Sequence, residues 1–148
     1  MTYQLAQINV GRFRYPAEDE RNADFMNNLD PINAIAEATT GFIWRLKDET
    51  GNATNIRAYE DPRIIVNLSV WESVEALQVF AYRTEHVQFF RRREEWFEDF
   101  GGPSMALWWI RAGQYPSAAQ GREKVEYLTK YGSTPLAFTF REKFATPD

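Results

Sequence analysis

The segment 63–71 (RIIVNLSVW) places the strongest constraint on how this chain can fold. Its β-branched residues and its two-residue alternation predict a β-strand. One face is aliphatic and the other is mixed: the first carries Ile64, Val66, Leu68 and Val70, and the second carries Ile65, Asn67, Ser69 and Trp71. The mixed face is typical neither of a solvated surface nor of a core.

The order of the predicted elements indicates a ferredoxin-like fold. Strands are predicted at residues 1–10, 42–47, 63–71 and 104–111. Helices are predicted before Gly41, after a Ser73 cap, over residues 86–100, and from a Ser117 cap to Gly132. The order strand, helix, strand, strand, helix, strand is the split βαβ pattern of an α+β fold with an antiparallel sheet. We therefore expect a single domain over residues 1–148, with the last helix and a short strand at 136–141 appended, and a polar connection at 48–61 that hangs off the fold.

The second face of this sheet needs a cover. A ferredoxin-like sheet has helices on one face only, yet the strands at 42–47 and 104–111 carry tryptophan or phenylalanine on both faces. The simplest cover is the sheet of a second copy, packed so that the mixed faces are buried in a homodimeric α+β barrel. The alternative is that the C-terminal helix and strand cover that face within one chain.

Composition limits the classes of function. The chain has 17 Lys plus Arg against 21 Asp plus Glu, a net charge of −4, so neither nucleic acid nor a membrane is an expected partner. It has no cysteine and one histidine, which excludes thiolate chemistry and multi-histidine metal centres, and no metal site is predicted. The sequence shows neither a signal-peptide pattern nor a membrane span, so we expect a soluble, cytoplasmic protein. The aromatic fraction of 16% requires apolar shelter in a core, a ligand cavity or a subunit interface.

The single histidine lies on one stripe of the predicted helix. Residues spaced three or four apart share a helix face that we expect to point toward the sheet, and these are Tyr82, His86, Phe90, Arg93 and Phe97. Burying an imidazole or a guanidinium requires a partner. In the functional interpretation His86 and Arg93 are catalytic: His86 is a general base, a hydrogen-bond donor or an axial metal ligand, and Arg93 holds an anionic group among the ligand-binding aromatic residues. In the alternative, both are core-edge residues bonded to backbone carbonyls.

Further ligand-binding candidates lie on the predicted strands. They are Asn9, Trp44, Asn67, Trp71 and Trp108. For the tryptophans, packing in the core or at a dimer interface is the competing interpretation.

Long stretches of the chain resemble one protein family. They are LDPINAIAEATTGFIWRL at 29–46, VWESVEALQVFAYRTEHVQFFRRREEWF at 70–97 and GPSMALWWIRAGQYPS at 102–117, and AFTF at 137–140 extends the resemblance. The family they resemble is DUF3291, which is similar in architecture to the dimeric α+β barrel superfamily. That superfamily includes antibiotic-biosynthesis monooxygenases, heme-degrading monooxygenases, chlorite dismutase-like proteins and EthD-like proteins. The resemblance supports the homodimer and leaves the function open.

The resemblance implies two kinds of chemistry. Heme-degrading relatives use an asparagine on the first strand, a tryptophan near the third strand and a histidine on the following helix, and Asn9, Trp71 and His86 occur here in that order. This comparison would make His86 the heme ligand, Asn9 a hydrogen-bond partner of bound oxygen, and Trp71 a contact of the porphyrin. The other chemistry is that of a cofactor-independent monooxygenase, in which an aromatic substrate supplies the electrons.

We therefore expect a homodimer that binds a small apolar or aromatic molecule, needs no cofactor, and has monooxygenase-like activity if it is an enzyme. A non-catalytic dimeric binding or structural module is the alternative. A heme-binding or heme-degrading protein is a lesser alternative.

Overall fold

The computed structural model describes residues 2–54 and 56–147, which build an antiparallel sheet. Its strands are β1 (Tyr3–Phe13), β2 (Phe42–Arg45), β3 (Ile64–Trp71), β4 (Phe97–Glu98) and β5 (Met105–Arg111). β1 pairs with β3 on one side and with β4 and β5 on the other, and β2 pairs with the far side of β3. The resulting order β2-β3-β1-β5 confirms the predicted ferredoxin-like α+β fold.

The helices begin largely where the capping residues predict. They are α1 (Ala23–Asn27), α2 (Leu29–Ala38), α3 (Val74–Arg83), α4 (His86–Arg91), α5 (Arg93–Trp96) and α6 (Ala118–Tyr131). Ser73 Oγ accepts a hydrogen bond from Ala76 N at 3.1 Å, and Ser117 forms a capping box with Gln120. Within the described ranges, none of these helices has the length and apolar character needed to cross a membrane.

α2 and α3 pack on the mixed face of the sheet. Ala36 of α2 and Leu77 of α3 are buried in one cluster with Leu5 of β1 and Trp71 of β3. The expected cover for this face was a second copy, but helices of the same chain cover the end of the face that carries Trp71. Formation of a homodimer stays a prediction.

α6 packs on the aliphatic face. Val125 and Leu128 are buried against residues of that face, which include Ile8 of β1 and Val66 of β3. A Cβ atom added at Gly121 would lie 2.5 Å from Ile8 Cδ1, so the glycine lets α6 approach β1 closely. The C-terminal helix therefore does cover a sheet face within one chain, although it is the aliphatic face.

The predicted helix over residues 86–100 is wrong after Trp96. Arg92, with φ −92° and ψ 4°, separates α4 from α5, and Phe97 is extended with φ −119° and ψ 139°. Phe97 pairs with Phe13 as part of β4, and the two rings stack with their centroids 4.9 Å apart. Packing of Trp96 and Phe97 against the end of β1 overrides the helical spacing.

The connection between β2 and β3 packs on the body of the fold in its second half. Ala58 and Tyr59 join the cluster beneath α6, and Arg122 Nη1 donates a hydrogen bond to Ala58 O at 2.9 Å. The prediction that 48–61 hangs off the fold is therefore wrong for this half of the segment. Residue 55 lies outside the described residues.

The two edges of the sheet are built differently. The predicted strand at 136–141 reduces to a single bridge to the sheet, in which Leu107 and Phe138 exchange two backbone hydrogen bonds of 2.8 and 2.9 Å along β5. At the other edge, β2 has four residues and a register shift between Phe42 and Trp44. Both features determine how many backbone N–H and C=O groups at the sheet edges are free to pair with another strand.

Candidate functional site

A ladder of hydrogen-bonded polar side chains runs along the mixed face of β1 and β3. Gln7 Nε2 donates to Asn67 Oδ1 at 2.8 Å and to Ser69 Oγ at 2.7 Å. Asn9 Nδ2 donates to Gln7 Oε1 at 2.6 Å, and Trp71 Nε1 donates to Ser69 Oγ at 2.8 Å. We call these five side chains the amide ladder. Such a connected network on a sheet face is costly to bury unless its members satisfy one another.

The ladder fixes the orientation of its two outer amides. Both hydrogens of Gln7 Nε2 are used, and Gln7 Oε1 accepts from Asn9, so Asn67 presents its oxygen and Asn9 its nitrogen to the ladder. The Nδ2 group of Asn67 and the Oδ1 atom of Asn9 make no hydrogen bond with other described side chains. Gln7 is 1% exposed, whereas Asn9 and Asn67, which face each other in register, are exposed. A donor and an acceptor therefore lie side by side at the open end of the ladder.

Apolar groups flank this open end. Asn9 lies opposite Met105 of β5, and the next cross-strand pair on the same face is Gly11 with Ile65. Phe97 covers Gly11 so closely that an added Cβ would lie 2.7 Å from Phe97 Cδ1. The two free amide groups are thus a polar spot between apolar surfaces, which is typical of sites for small molecules.

An aromatic column closes the buried end of the ladder. The Trp71 ring contacts Phe42 at 5.3 Å and stacks on Phe80 at 5.4 Å, and Phe80 lies 4.7 Å from the His86 ring, all measured between centroids. His86 Nδ1 lies 3.1 Å from the carbonyl oxygen of Ala81. In the neutral imidazole, Nδ1 donates to this oxygen and Nε2 keeps a free lone pair. Burial is the main cause that lowers the pKa of His86 below its usual value of 6.5, although the Ala81 hydrogen bond acts in the opposite direction.

The lowered pKa of His86 predicts a pH dependence of stability. Because the unfolded chain takes up a proton near pH 6.5 that the folded chain resists, the free energy of unfolding is expected to fall as the pH drops through 6.5. A His86→Leu variant should lack this component. Urea unfolding of both proteins between about pH 7.5 and pH 5.5 measures it. The same pH dependence in the variant would contradict this assignment, since the chain has one histidine.

The packing around His86 and Trp71 does not fit the heme arrangement that the resemblance implies. Trp71 is fully buried and donates to Ser69, and the Phe80 ring contacts both Trp71 and His86. A porphyrin against Trp71 with His86 as axial ligand would have to take the place of Phe80. Across residues 2–54 and 56–147 no group of three or more histidine, aspartate or glutamate side chains is arranged to hold a metal ion.

The other predicted site residues do not lie on the ladder. Tyr82 and Phe90 are 45% and 41% exposed, and Arg93 is exposed, with Nη1 donating to Phe90 O at 2.9 Å. Trp44 and Trp108 pack on the opposite face of the sheet, in the cluster beneath α6. His86 is half-buried and Arg93 is exposed, and each contacts a backbone carbonyl. Their catalytic roles stay a prediction.

Sequence reasoning missed Gln7 and Ser69. It named Asn9, Asn67 and Trp71, and the structure places these three side chains on one face with the two missed residues between them. The available signal was a two-residue alternation of polar side chains in both central strands. This alternation is informative only when the two strands are known to be neighbours in register.

Comparisons with known proteins agree with the fold. A family model described as "Domain of unknown function (DUF3291)" matches residues 4–148. No curated protein matches the chain. A solved structure of a protein of unknown function from Nitrosomonas europaea has 13% sequence identity and a TM-score of 0.52, with 78% of this chain and 97% of that chain covered. This similarity shows a shared fold.

Other solved structures are similar at lower scores. A conserved protein from Methanosarcina mazei has 16% identity and a TM-score of 0.49, with 74% of this chain and 93% of that chain covered. A monooxygenase from Streptomyces coelicolor, in complex with Nanaomycin D, has 16% identity and a TM-score of 0.46, with 77% of this chain and 93% of that chain covered.

Proposed function

The chain belongs to the DUF3291 family, and we propose that it binds a small, largely apolar molecule through a hydroxyl or carbonyl group at the open end of the amide ladder. The observation that carries this proposal is the pair of free groups, Asn67 Nδ2 and Asn9 Oδ1, on two exposed side chains in register. The hydrogen bonds of the ladder already hold this donor and this acceptor in place. Little side-chain conformational entropy is therefore lost when a ligand binds.

The chemistry of the two groups selects the ligand class. A hydroxyl group can donate to Asn9 Oδ1 and accept from Asn67 Nδ2 at the same time, whereas a carbonyl uses only the second of these contacts. The apolar surface from Ile65 and Met105 would shelter the body of the ligand. A hydroxyarene meets both requirements.

In a finer form of this proposal, the protein is a cofactor-independent monooxygenase. A bound hydroxyarene would react with O2, with the carbon para to the hydroxyl gaining one oxygen atom, so that the products are a quinone and water. The substrate supplies all the electrons. The hydroxyl proton would pass to solvent water at this exposed end of the ladder, and Asn67 Nδ2 would stabilise the negative charge that develops on the hydroxyl oxygen. Arg93 has no part in this scheme, because its guanidinium lies on the surface against Phe90.

The test uses 1-naphthol as the probe and an Asn67→Asp variant. In this variant one carboxylate oxygen still accepts from Gln7, but the outward donor becomes a negatively charged acceptor. Its affinity for 1-naphthol, measured by calorimetric titration, is expected to fall at least about tenfold, which is about 1.4 kcal/mol. Gln114→Glu adds the same charge on the exposed loop after β5 and should leave the affinity unchanged.

Naphthalene and oxygen uptake complete this test. Naphthalene has no hydroxyl group and should bind more weakly than 1-naphthol. Equal binding of the two compounds, or unchanged affinity in Asn67→Asp, would overturn the proposed site. Oxygen uptake with 1-naphthol that disappears in Asn67→Asp would support the monooxygenase form, whereas binding without uptake would leave a binding module.

A further inference from the structure

A groove lies at the edge of the sheet between α2 and β2, beside the buried end of the amide ladder and away from its open end. Its volume is about 420 Å³. Charged and apolar side chains line it together: the cations Arg45 and Lys47, the carboxylate Glu37, and the apolar residues Phe42, Ile43 and Trp44. With two cations and one carboxylate, the lining carries a net positive charge although the chain as a whole is negative.

Arg45 is poorly satisfied for a buried cation. Its side chain is 11% exposed, and its Nε atom is buried without a hydrogen-bond partner in the described part of the chain. Glu37 Oε2 lies 3.4 Å from Nε, and the Glu37 side chain is 42% exposed, so this ion pair is loose and partly solvated. A guanidinium has five N–H donors, and taking it out of water is costly unless these donors find acceptors. The groove is therefore a place where a second acceptor would lower the free energy.

The position of Arg45 in the sheet explains why it is buried. Arg45 is the cross-strand partner of Ser69, so its stem lies on the mixed face beneath α2, where Glu37 also lies. Lys47, two residues further along the chain, lines the same groove and is exposed. An incoming anion would thus meet the exposed ammonium of Lys47 at the surface and the less exposed guanidinium of Arg45 within the groove.

We propose that this groove is a binding site for a small organic carboxylate. The carboxylate group would accept two hydrogen bonds from the Arg45 guanidinium, which matches its geometry, and Lys47 would add a second positive charge. Phe42 and Ile43 would contact the apolar part of the ligand. The proposal goes beyond the hydroxyl or carbonyl site, because residues of the amide ladder are only neighbours of the groove: Ser69 pairs with Arg45, and Trp71 pairs with Phe42.

Removal of the Glu37 carboxylate should change the affinity for a carboxylate ligand in a direction that distinguishes a binding site from a structural ion pair. Glu37 competes with the ligand for Arg45, so its removal should tighten carboxylate binding. If Arg45 and Glu37 are instead only a structural ion pair, removing Glu37 should give no gain in affinity for any carboxylate. The two alternatives therefore differ in the direction of one measured change.

The experiment is a calorimetric titration of the full chain with benzoate. We expect Arg45→Gln to weaken binding at least about tenfold, Lys47→Gln to weaken it about threefold, and Glu37→Gln to tighten it about threefold. Benzamide, which has the same shape without the charge, should bind far more weakly than benzoate. Asn67→Asp removes any contact of benzoate with the amide ladder, so the benzoate binding that remains in this variant and is lost on Arg45→Gln belongs to the groove.

Three outcomes would overturn the proposal: benzamide binding as well as benzoate, unchanged benzoate affinity in a folded Arg45→Gln variant, or no tightening in Glu37→Gln. If Arg45→Gln does not fold, the benzamide comparison and the Glu37→Gln variant still decide. A crosspeak of the Arg45 side-chain Nε–H group that shifts with benzoate and not with benzamide in an NMR titration would support the site directly.

Discussion

Replacing Trp71 by alanine is expected to lower the free energy of unfolding by about 3–5 kcal/mol. The Trp71 ring is fully buried between Phe42 and Phe80, and its Nε1 donates to Ser69 Oγ at 2.8 Å. The substitution removes a large ring beneath α3 and leaves a cavity that the surrounding helices and strands can fill only in part. Urea unfolding followed by far-UV circular dichroism measures the loss.

Trp44→Ala is the matched control for this substitution. Trp44 is only half-buried on the other face of the sheet, where its ring stacks on Tyr115, which is 45% exposed. We expect Trp44→Ala to lower the free energy of unfolding by about 1–2 kcal/mol, because the substitution removes less buried apolar surface than Trp71→Ala does. Equal losses in the two variants would contradict the assignment of Trp71 to the centre of the core.

Gly41→Ala is expected to cost about 2–4 kcal/mol, through two separate effects. Gly41 has a φ of +93°, which an alanine adopts only with strain. An added Cβ would lie 2.5 Å from the Cβ atom of Ala76 in α3, and neither atom belongs to a flexible side chain. Gly41 O also accepts from Glu72 N at 2.8 Å, so the turn cannot move away without losing that bond.

Gly113→Ala separates the two effects at Gly41. Gly113 also has a positive φ, +85°, but nothing lies within 4 Å of a Cβ added there. Gly113→Ala should therefore lower the free energy of unfolding by the backbone contribution alone, about 1–2 kcal/mol. The difference between the two losses in free energy of unfolding gives the contribution of the contact with Ala76. Equal losses would show that α3 moves enough to relieve this contact.

The sheet could be predicted from the sequence because its strands have clear periodicity. Residues 63–71 alternate over their whole length, and they form β3 with the predicted division into two faces. The helix starts at Ser73 and Ser117 were also correct, since a capping serine is a local signal that depends on few distant contacts. Strand order then follows from the order of elements.

The assignment of helices to faces could not be predicted. Both faces of β3 carry enough apolar side chains to pack under helices, so the pattern does not show that α2 and α3 lie over the end of the mixed face that carries Trp71. The helix over 86–100 failed for a related reason. Its apolar spacing fits a helix, but Phe97 gains more by stacking on Phe13 as a strand residue.

The candidate site was predicted only in part. Asn9, Asn67 and Trp71 were found because each is polar or aromatic on a strand, but the hydrogen bonds through Gln7 depend on the register between β1 and β3. His86 and Arg93 were joined by helical spacing, and the break at Arg92 separates them. Arg45 was not considered, since its burial depends on the position of α2.

The edges of the sheet also determine how copies of this chain can meet. Unpaired strand edges invite other strands to add to the sheet, which leads to aggregation. Here the tail around Phe138 pairs with β5, and β2 is short and irregular at Ile43. Within residues 2–54 and 56–147 the sheet therefore offers little regular edge with which a strand of another molecule could pair. Copies of the chain are thus more readily joined through side chains than by extension of the sheet from one molecule to the next.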